Sequence, residues 1–157
     1  MSRRIRPTVA RAAALAVALF AGPAFAIVSL EARASRELGF GQIVSSGAPG
    51  TVTVDPTGNR TASGGAVLGS AAGVGPAMFR VTGEPNASYS ITLPSSATFG
   101  SSHRSMTVDR FTSSPRGSGN LGPGGSQWLA LGGTLHVGPS QSTASYDGTV
   151  EVTVAYN

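Results

Sequence analysis

The chain carries two histidines, His103 and His136, and many serines. An imidazole base activating a hydroxyl nucleophile is therefore the first catalytic chemistry to consider. Nothing in the spacing selects a pair. No serine sits in a G-x-S-x-G elbow, and a Ser-x-x-Lys arrangement is impossible in a chain without lysine. His136 lies between Leu135 and Val137 in an alternating stretch and is expected to point to solvent. His103 lies in a Ser-rich loop. Both read as surface histidines rather than catalytic bases, because catalysis adds geometric conditions that the spacing does not meet. There are no cysteines, which removes thiol catalysis and thiolate metal ligands.

Other motifs are equally bare. Gly117-Ser118-Gly119-Asn120-Leu121-Gly122 matches G-x-G-x-x-G, but that motif needs a following helix to meet a pyrophosphate, and Pro123-Gly124-Gly125 follows instead. Asp55, Thr57 and Asn59 alternate oxygen ligands, yet the remaining positions of a calcium loop are missing, and an Asx-type turn is the simpler reading. Asn59 and Asn86 begin glycosylation sequons, which matter only in a glycosylating host. Arg60, Arg80, Arg104, Arg110 and Arg116 are dispersed, without the interleaved aromatics of a nucleic-acid surface. Trp128, the sole tryptophan, reads as a core or interface anchor, with a sugar-stacking platform as the alternative. The expectation is a non-enzymatic protein with no cofactor, no metal site and no nucleic-acid partner.

The elements that must position any site are short strands. Residues 1–26 form a separate object: Arg3, Arg4, Arg6 and Arg11 precede the apolar run Ala12 to Phe20, and Ala24-Phe25-Ala26 is a small-x-small cleavage site. This is the pattern of a secretory signal peptide, with an apolar run too short to span a membrane. Residues 27–157 are expected to form one domain, exported to the periplasm, cell surface or extracellular space. Four of the 11 basic residues lie in the leader, so the seven that remain balance the seven acidic ones. The high isoelectric point is a property of the leader, and its hint of a polyanionic partner disappears with it.

The strongest pattern is at the end of the chain. Tyr146, Val150, Val152, Val154 and Tyr156 fall on one side of a period-two ribbon from Ser145 to Asn157. Further strands are expected at Gly50 to Val54, Thr61 to Leu68, Ala77 to Thr82, Ser88 to Leu93, Ser105 to Phe111, Trp128 to Leu131 and Thr134 to Val137. Gly132-Gly133 is read as a break between the last two. Gly83-Glu84-Pro85-Asn86 is read as the turn of a hairpin, and Thr112 to Ser126 as a long surface loop. Gly39 and Gly41, opposite Leu38 and Phe40, imply a bend or a close backbone approach. Ile27 to Arg36 is open between strand and helix, with unbroken alternation of Val28, Leu30, Ala32 and Ala34 favouring the strand. The fold class is all-β: an antiparallel, Ig-like sandwich of about eight or nine short strands, with a closed barrel as the alternative.

Several of these stretches, read together, resemble a known family. Leu38-Gly39-Phe40-Gly41, Gly50-Thr51-Val52-Thr53-Val54-Asp55-Pro56-Thr57-Gly58, Phe79-Arg80-Val81-Thr82-Gly83, Tyr89-Ser90-Ile91-Thr92-Leu93-Pro94, Leu131-Gly132-Gly133-Thr134-Leu135 and Tyr146 to Tyr156 are similar to the bacterial secreted family catalogued as domain of unknown function 4402. That family has no assigned activity. It in turn looks like spore-coat-U and chaperone–usher pilin subunits, sandwiches that lack one strand and take it from a neighbour. The resemblance implies a secreted structural or adhesive subunit, with further copies of itself in a homopolymer and a periplasmic chaperone and usher as the expected partners. It implies that Tyr146, Val150, Val152, Val154 and Tyr156 hold the terminal strand to its sheet or chaperone. It makes Val28, Leu30, Ala32 and Ala34 the candidate donor face. Ile27 to Glu37 is one strand's worth of chain, so it can serve as the domain's own first strand or as a donor, scarcely both. A self-complete, monomeric binding module for a ligand or carbohydrate is the alternative function.

Overall fold

Alternating β-branched and polar residues fit a pleated surface with one dry face, and the computed structural model places them in strands. The structure describes residues 10–11 and 31–157 apart from 102, 103 and 143, with backbone alone at 10–11 and 32–34. In chain order the strands are β1 (Ala10–Arg11), β2 (Glu31–Arg36), β3 (Ile43–Val54), β4 (Arg60–Leu68), β5 (Ala77–Thr82), β6 (Ser88–Thr92), β7 (Ser96–Ser101), β8 (Arg104–Ser114), β9 (Ser118–Asn120), β10 (Ser126–Val137), β11 (Gly148–Thr149) and β12 (Thr153–Tyr156). The fold is an all-β sandwich. Its larger sheet runs β2-β5-β10-β3-β4, with β8 and then β7 on the other side of β10, and its smaller sheet runs β12-β6-β9.

Strand β10 is the spine. One of its edges pairs first with β5, through Ser126 to Leu131, and then with β3, through Gly133 to Val137. Its other edge pairs with β8. Gly132 and Gly133 therefore do not break the strand, as the sequence implied; they are where one neighbour gives way to the next. Leu129, Leu131, Leu135 and Val137 point inward and are buried with Val52, Val54, Phe79, Val81, Phe99, Met106 and Val108. Tyr89, Ile91 and Val154 close the core from the smaller sheet. Each fully buried aliphatic side chain contributes about 1.5–3 kcal/mol, so the inward row of β10 is a large share of what holds the two layers together.

The number of strands exceeds the expected eight or nine: β2 to β12 are eleven. The stretch read as a surface loop, residues 112–126, contains the end of β8 and all of β9, and Leu121 within it is 1% exposed. The expected hairpin across Gly83 to Asn86 is also absent. Both edges of β5 are already taken by β2 and β10, so β6 pairs instead with β12 and β9 in the other sheet. The turn is a crossing between layers. Gly83 N donates to Gly125 O (2.9 Å) and Asn86 N to Gly122 O (2.7 Å), which anchors it.

Two local devices shape the larger sheet. Gly132 pairs with Thr112 but Thr134 pairs with Asp109, so β8 carries an extra residue opposite Gly133. Arg110, at φ 47°, sits in this bulge. The bulge switches the inward parity of β8, so that Met106 and Val108 on one side and Ser113 on the other are all buried. The second device is Gly39, which exchanges two backbone hydrogen bonds with Gly75, and where a Cβ would collide with the Gly73 carbonyl. This is the close backbone approach that the glycine pattern implied, with Leu38 and Phe40 buried on either side of it.

Arg60 ties these parts together. Its Nη1 donates to the carbonyls of Phe40 (3.0 Å), Gln42 (3.4 Å) and Ser70 (3.2 Å), and Nη2 to that of Gly69 (2.9 Å). One guanidinium thus satisfies backbone acceptors on both segments that flank the β3–β4 pair, a task for which its fixed fork of donors is suited. Arg60→Ala is expected to lower the unfolding free energy by about 2 kcal/mol in urea titration, since the Phe40 and Gly69 carbonyls lose their donor. Arg60→Lys should recover only part of the loss, because one ammonium cannot span them. Stabilities indistinguishable from the parent in both variants would remove Arg60 from this role.

Candidate functional site

The terminal segment passes from one sheet to the other. Asp147 bridges Gly100 of β7, at the margin of the larger sheet, through two backbone hydrogen bonds of 3.0 and 2.8 Å. Gly148 and Thr149 form β11, which pairs in parallel with β1. Residues 153–156, as β12, then pair antiparallel with β6 in the smaller sheet. Between these pairings, Glu151 and Val152 make no ladder with any described residue. The ribbon read as one strand is therefore two short ones with a crossing between them. Gly148 allows the crossing, because any Cβ there would run into the Phe99 ring.

Side-chain alternation holds across the crossing. Tyr146, Val150, Val152 and Val154 are buried in the common core, and Tyr156 is partly exposed. The Tyr146 hydroxyl donates to Ser142 O (3.0 Å) and accepts from Gln141 Nε2 (2.9 Å), which satisfies it inside the core. The Tyr156 hydroxyl accepts a hydrogen bond from Glu84 N (2.8 Å) and so pins the end of the chain to the layer-crossing turn.

β12 has a neighbour on one edge alone among the described residues. Asn157 N donates to Ser88 O (3.1 Å). The alternation of an antiparallel ladder then turns the backbone groups of Thr153, Ala155 and Asn157 toward β6, and those of Val154 and Tyr156 away from it. The outcome is a strand with Val154 buried and with one edge that no other strand pairs among the described residues. Such an edge is a template for an added strand.

The candidate donor face is divided. Ala32 and Ala34 lie in β2, opposite Val81 and Phe79 of β5, within the chain's own larger sheet. Val28 and Leu30 lie outside the described residues, as does most of the leader-like segment. Of the two roles left open for this region, residues 31–36 take that of an own strand in this structure.

The remaining candidates are placed as follows. His103 lies outside the described residues. His136 is on the outer face of β10, and its Nε2 is 2.8 Å from Asp109 Oδ1 across the β10–β8 pair. No serine or threonine hydroxyl is hydrogen-bonded to its ring among the described residues, so the dyad lacks the link to a nucleophile. Asp55 Oδ1 accepts from Thr57 N (2.8 Å), Thr57 Oγ1 (2.6 Å) and Asn59 N (3.0 Å), an Asx turn that uses those oxygens locally. No group of three or more potential metal-ligating His, Cys, Asp or Glu side chains occurs among the described residues. No helix among them is long and apolar enough to cross a membrane. Trp128 is not a core anchor: inward positions of β10 are odd-numbered, so residue 128 must point outward, and it is 51% exposed.

Burial works against the Asp109 carboxylate, but the hydrogen bond and charge of His136, then those of Arg110, outweigh it and hold the carboxyl below its ordinary 3.8. A folded-state value below the unfolded one stabilises the fold above the unfolded value, and the contribution is lost as pH falls through the folded value. The urea midpoint is expected to fall as pH drops below about 4. Asp109→Asn should make that fall shallower without abolishing it, because Asp55 is lowered in the same sense, chiefly by its bond from Thr57. An unchanged slope would show that the Asp109–His136 pair does not contribute.

No curated protein and no solved structure matches the chain. The family described as "Domain of unknown function (DUF4402)" matches residues 30–156, a span that begins one residue before β2 and ends at the last residue of β12. The chain therefore belongs to the DUF4402 family.

Proposed function

We propose that this protein is an exported, non-enzymatic structural or adhesive subunit, pilin-like in kind, that joins other chains through the edge of β12 opposite β6. The observation that carries this reading is that β12 pairs along one edge alone among the described residues, with the backbone groups of Val154 turned to the other edge while Val150, Val152 and Val154 stay packed in the core. An extended peptide laid along that edge gains main-chain hydrogen bonds without any rearrangement of the core, which is how β-augmentation supplies affinity. The leader-like residues 1–26 support export, and the same edge is the surface that a periplasmic chaperone would cover before assembly. Because residues 31–36 are paired at home, the incoming strand belongs to another segment or another chain.

One observation favours a second reading. The pairing of β2 with β5 gives the larger sheet its own first strand, as expected of a self-complete secreted binding module that acts as a monomer.

The two readings separate on mature protein recovered from the host's own surface and run on a denaturing gel, boiled and unboiled. Strand-exchanged subunits dissociate slowly, because the inserted strand is fully paired. Assembly through β12 predicts a ladder that collapses to one band on boiling. A monomer band in both lanes would contradict it and favour the self-complete module.

A further inference from the structure

The outer face of the larger sheet holds a feature that neither the core nor the β12 edge requires. Trp128 projects from β10 with about half its surface in water. Arg80, its cross-strand partner on β5, places its guanidinium 5.9 Å from the ring centroid. Arg80 donates to Ser126 Oγ at 3.4 Å and has no carboxylate partner among the described residues. On the next strand outward, β2, Arg33 occupies the register position opposite Arg80. The row Arg33–Arg80–Trp128 thus crosses three adjacent strands, a span of roughly 10 Å at two strand spacings. The rows on either side add Arg36, opposite Met78, and Glu31, opposite Thr82. Arg36 donates its Nη2 to Val74 O (2.6 Å). Three arginine positions to one glutamate give this corner a positive count in a domain whose seven arginines and seven carboxylates balance as a whole.

We propose that this face binds an acidic polysaccharide, a chain of pyranose rings bearing carboxylates. A flat, rigid, half-exposed indole offers an apolar platform for the C–H face of a sugar ring. A guanidinium beside it supplies paired donors that match a carboxylate in geometry and charge. Stacking alone would fit a neutral sugar, and the arginines alone would fit any polyanion; their adjacency in one register row selects a ligand that has both properties within a sugar unit or two. A single-stranded nucleic acid also combines rings with charge, but it is held by successive stacking platforms, and this face offers one. The proposal does not depend on the role of β12, since the two surfaces belong to different sheets.

The sole tryptophan makes the test direct, because fluorescence excited on the long-wavelength side of tyrosine absorption reports on Trp128 alone. Titration of the mature protein with oligogalacturonate is expected to give a saturable change in emission. A neutral glucan of equal length, polyphosphate and a single-stranded oligothymidylate are expected to give none at the same concentrations. By calorimetry, Arg80→Ala and Trp128→Ala should each weaken oligogalacturonate binding by about tenfold or more, the scale of one charge-assisted contact or one stacked ring. Arg80→Lys and Trp128→Phe should retain part of the affinity. Both residues lie on an outer face, so unchanged melting temperatures of the variants are the control for folding. Absence of a saturable change would overturn the proposal. So would equal binding of the neutral glucan or polyphosphate, or tighter binding of the oligothymidylate. Full affinity in Arg80→Ala and Trp128→Ala would place the site elsewhere and overturn it as well.

Discussion

The hydrogen-bond ladders of β10 are the constraint on which the rest of the sandwich depends. One strand of 12 residues pairs with β5, β3 and β8, so the larger sheet can exist only if Ser126 to Val137 stays extended throughout. Its inward leucines set the spacing to the smaller sheet, and its outward residues fix what the exposed face can be. Because its edges are filled, the strands that follow its neighbours in sequence must go elsewhere. β6 crosses to the second layer, and β9 joins it there. The outer face is knit by hydroxyls, with Thr53 Oγ1 2.9 Å from Thr134 Oγ1 and Thr51 Oγ1 2.8 Å from Ser63 Oγ.

That arrangement leaves the last 13 residues to close both layers. Asp147 holds the margin of the larger sheet and β12 extends the smaller one, and the residues between them can pair with neither. A single chain segment covering two sheet margins cannot fill both outer edges. The one-sided pairing of β12 among the described residues is thus a consequence of topology rather than of any one side chain. The buried Val150, Val152 and Val154 hold the segment in place. Rigid presentation lowers the ordering cost of adding a strand, and this connects the core to the proposed assembly.

Local chemistry was legible in the sequence, and long-range pairing was not. The inward set Tyr146, Val150, Val152, Val154 could be read from alternation alone, because side-chain direction in extended backbone follows from parity. The Asp55 to Asn59 turn and the close approach at Gly39 could likewise be read from residue chemistry. The layer crossing at Gly83 to Asn86 could not, since a turn looks the same whether its strands pair with each other or with others. The continuity of β10 through Gly132-Gly133 was hidden for a similar reason: glycine marks a handover between neighbours as readily as a break. Parity could have placed Trp128 outside from its position beside Leu129 and Leu131, had its size not argued for the core. The bulge at Arg110 left no signal in the sequence, because arginine at positive φ is dictated by the pairing around it.

The central claim is that β12 pairs along one edge alone among the described residues, and hydrogen exchange read residue by residue tests it most directly. In the isolated monomer, the amides of Thr153, Ala155 and Asn157 should exchange slowly, while that of Val154 exchanges at a rate close to unprotected chain. In assembled material the Val154 amide should become protected as well. Equal protection of all four amides in the monomer would mean that the edge is already paired within the chain, and would contradict assembly through β12.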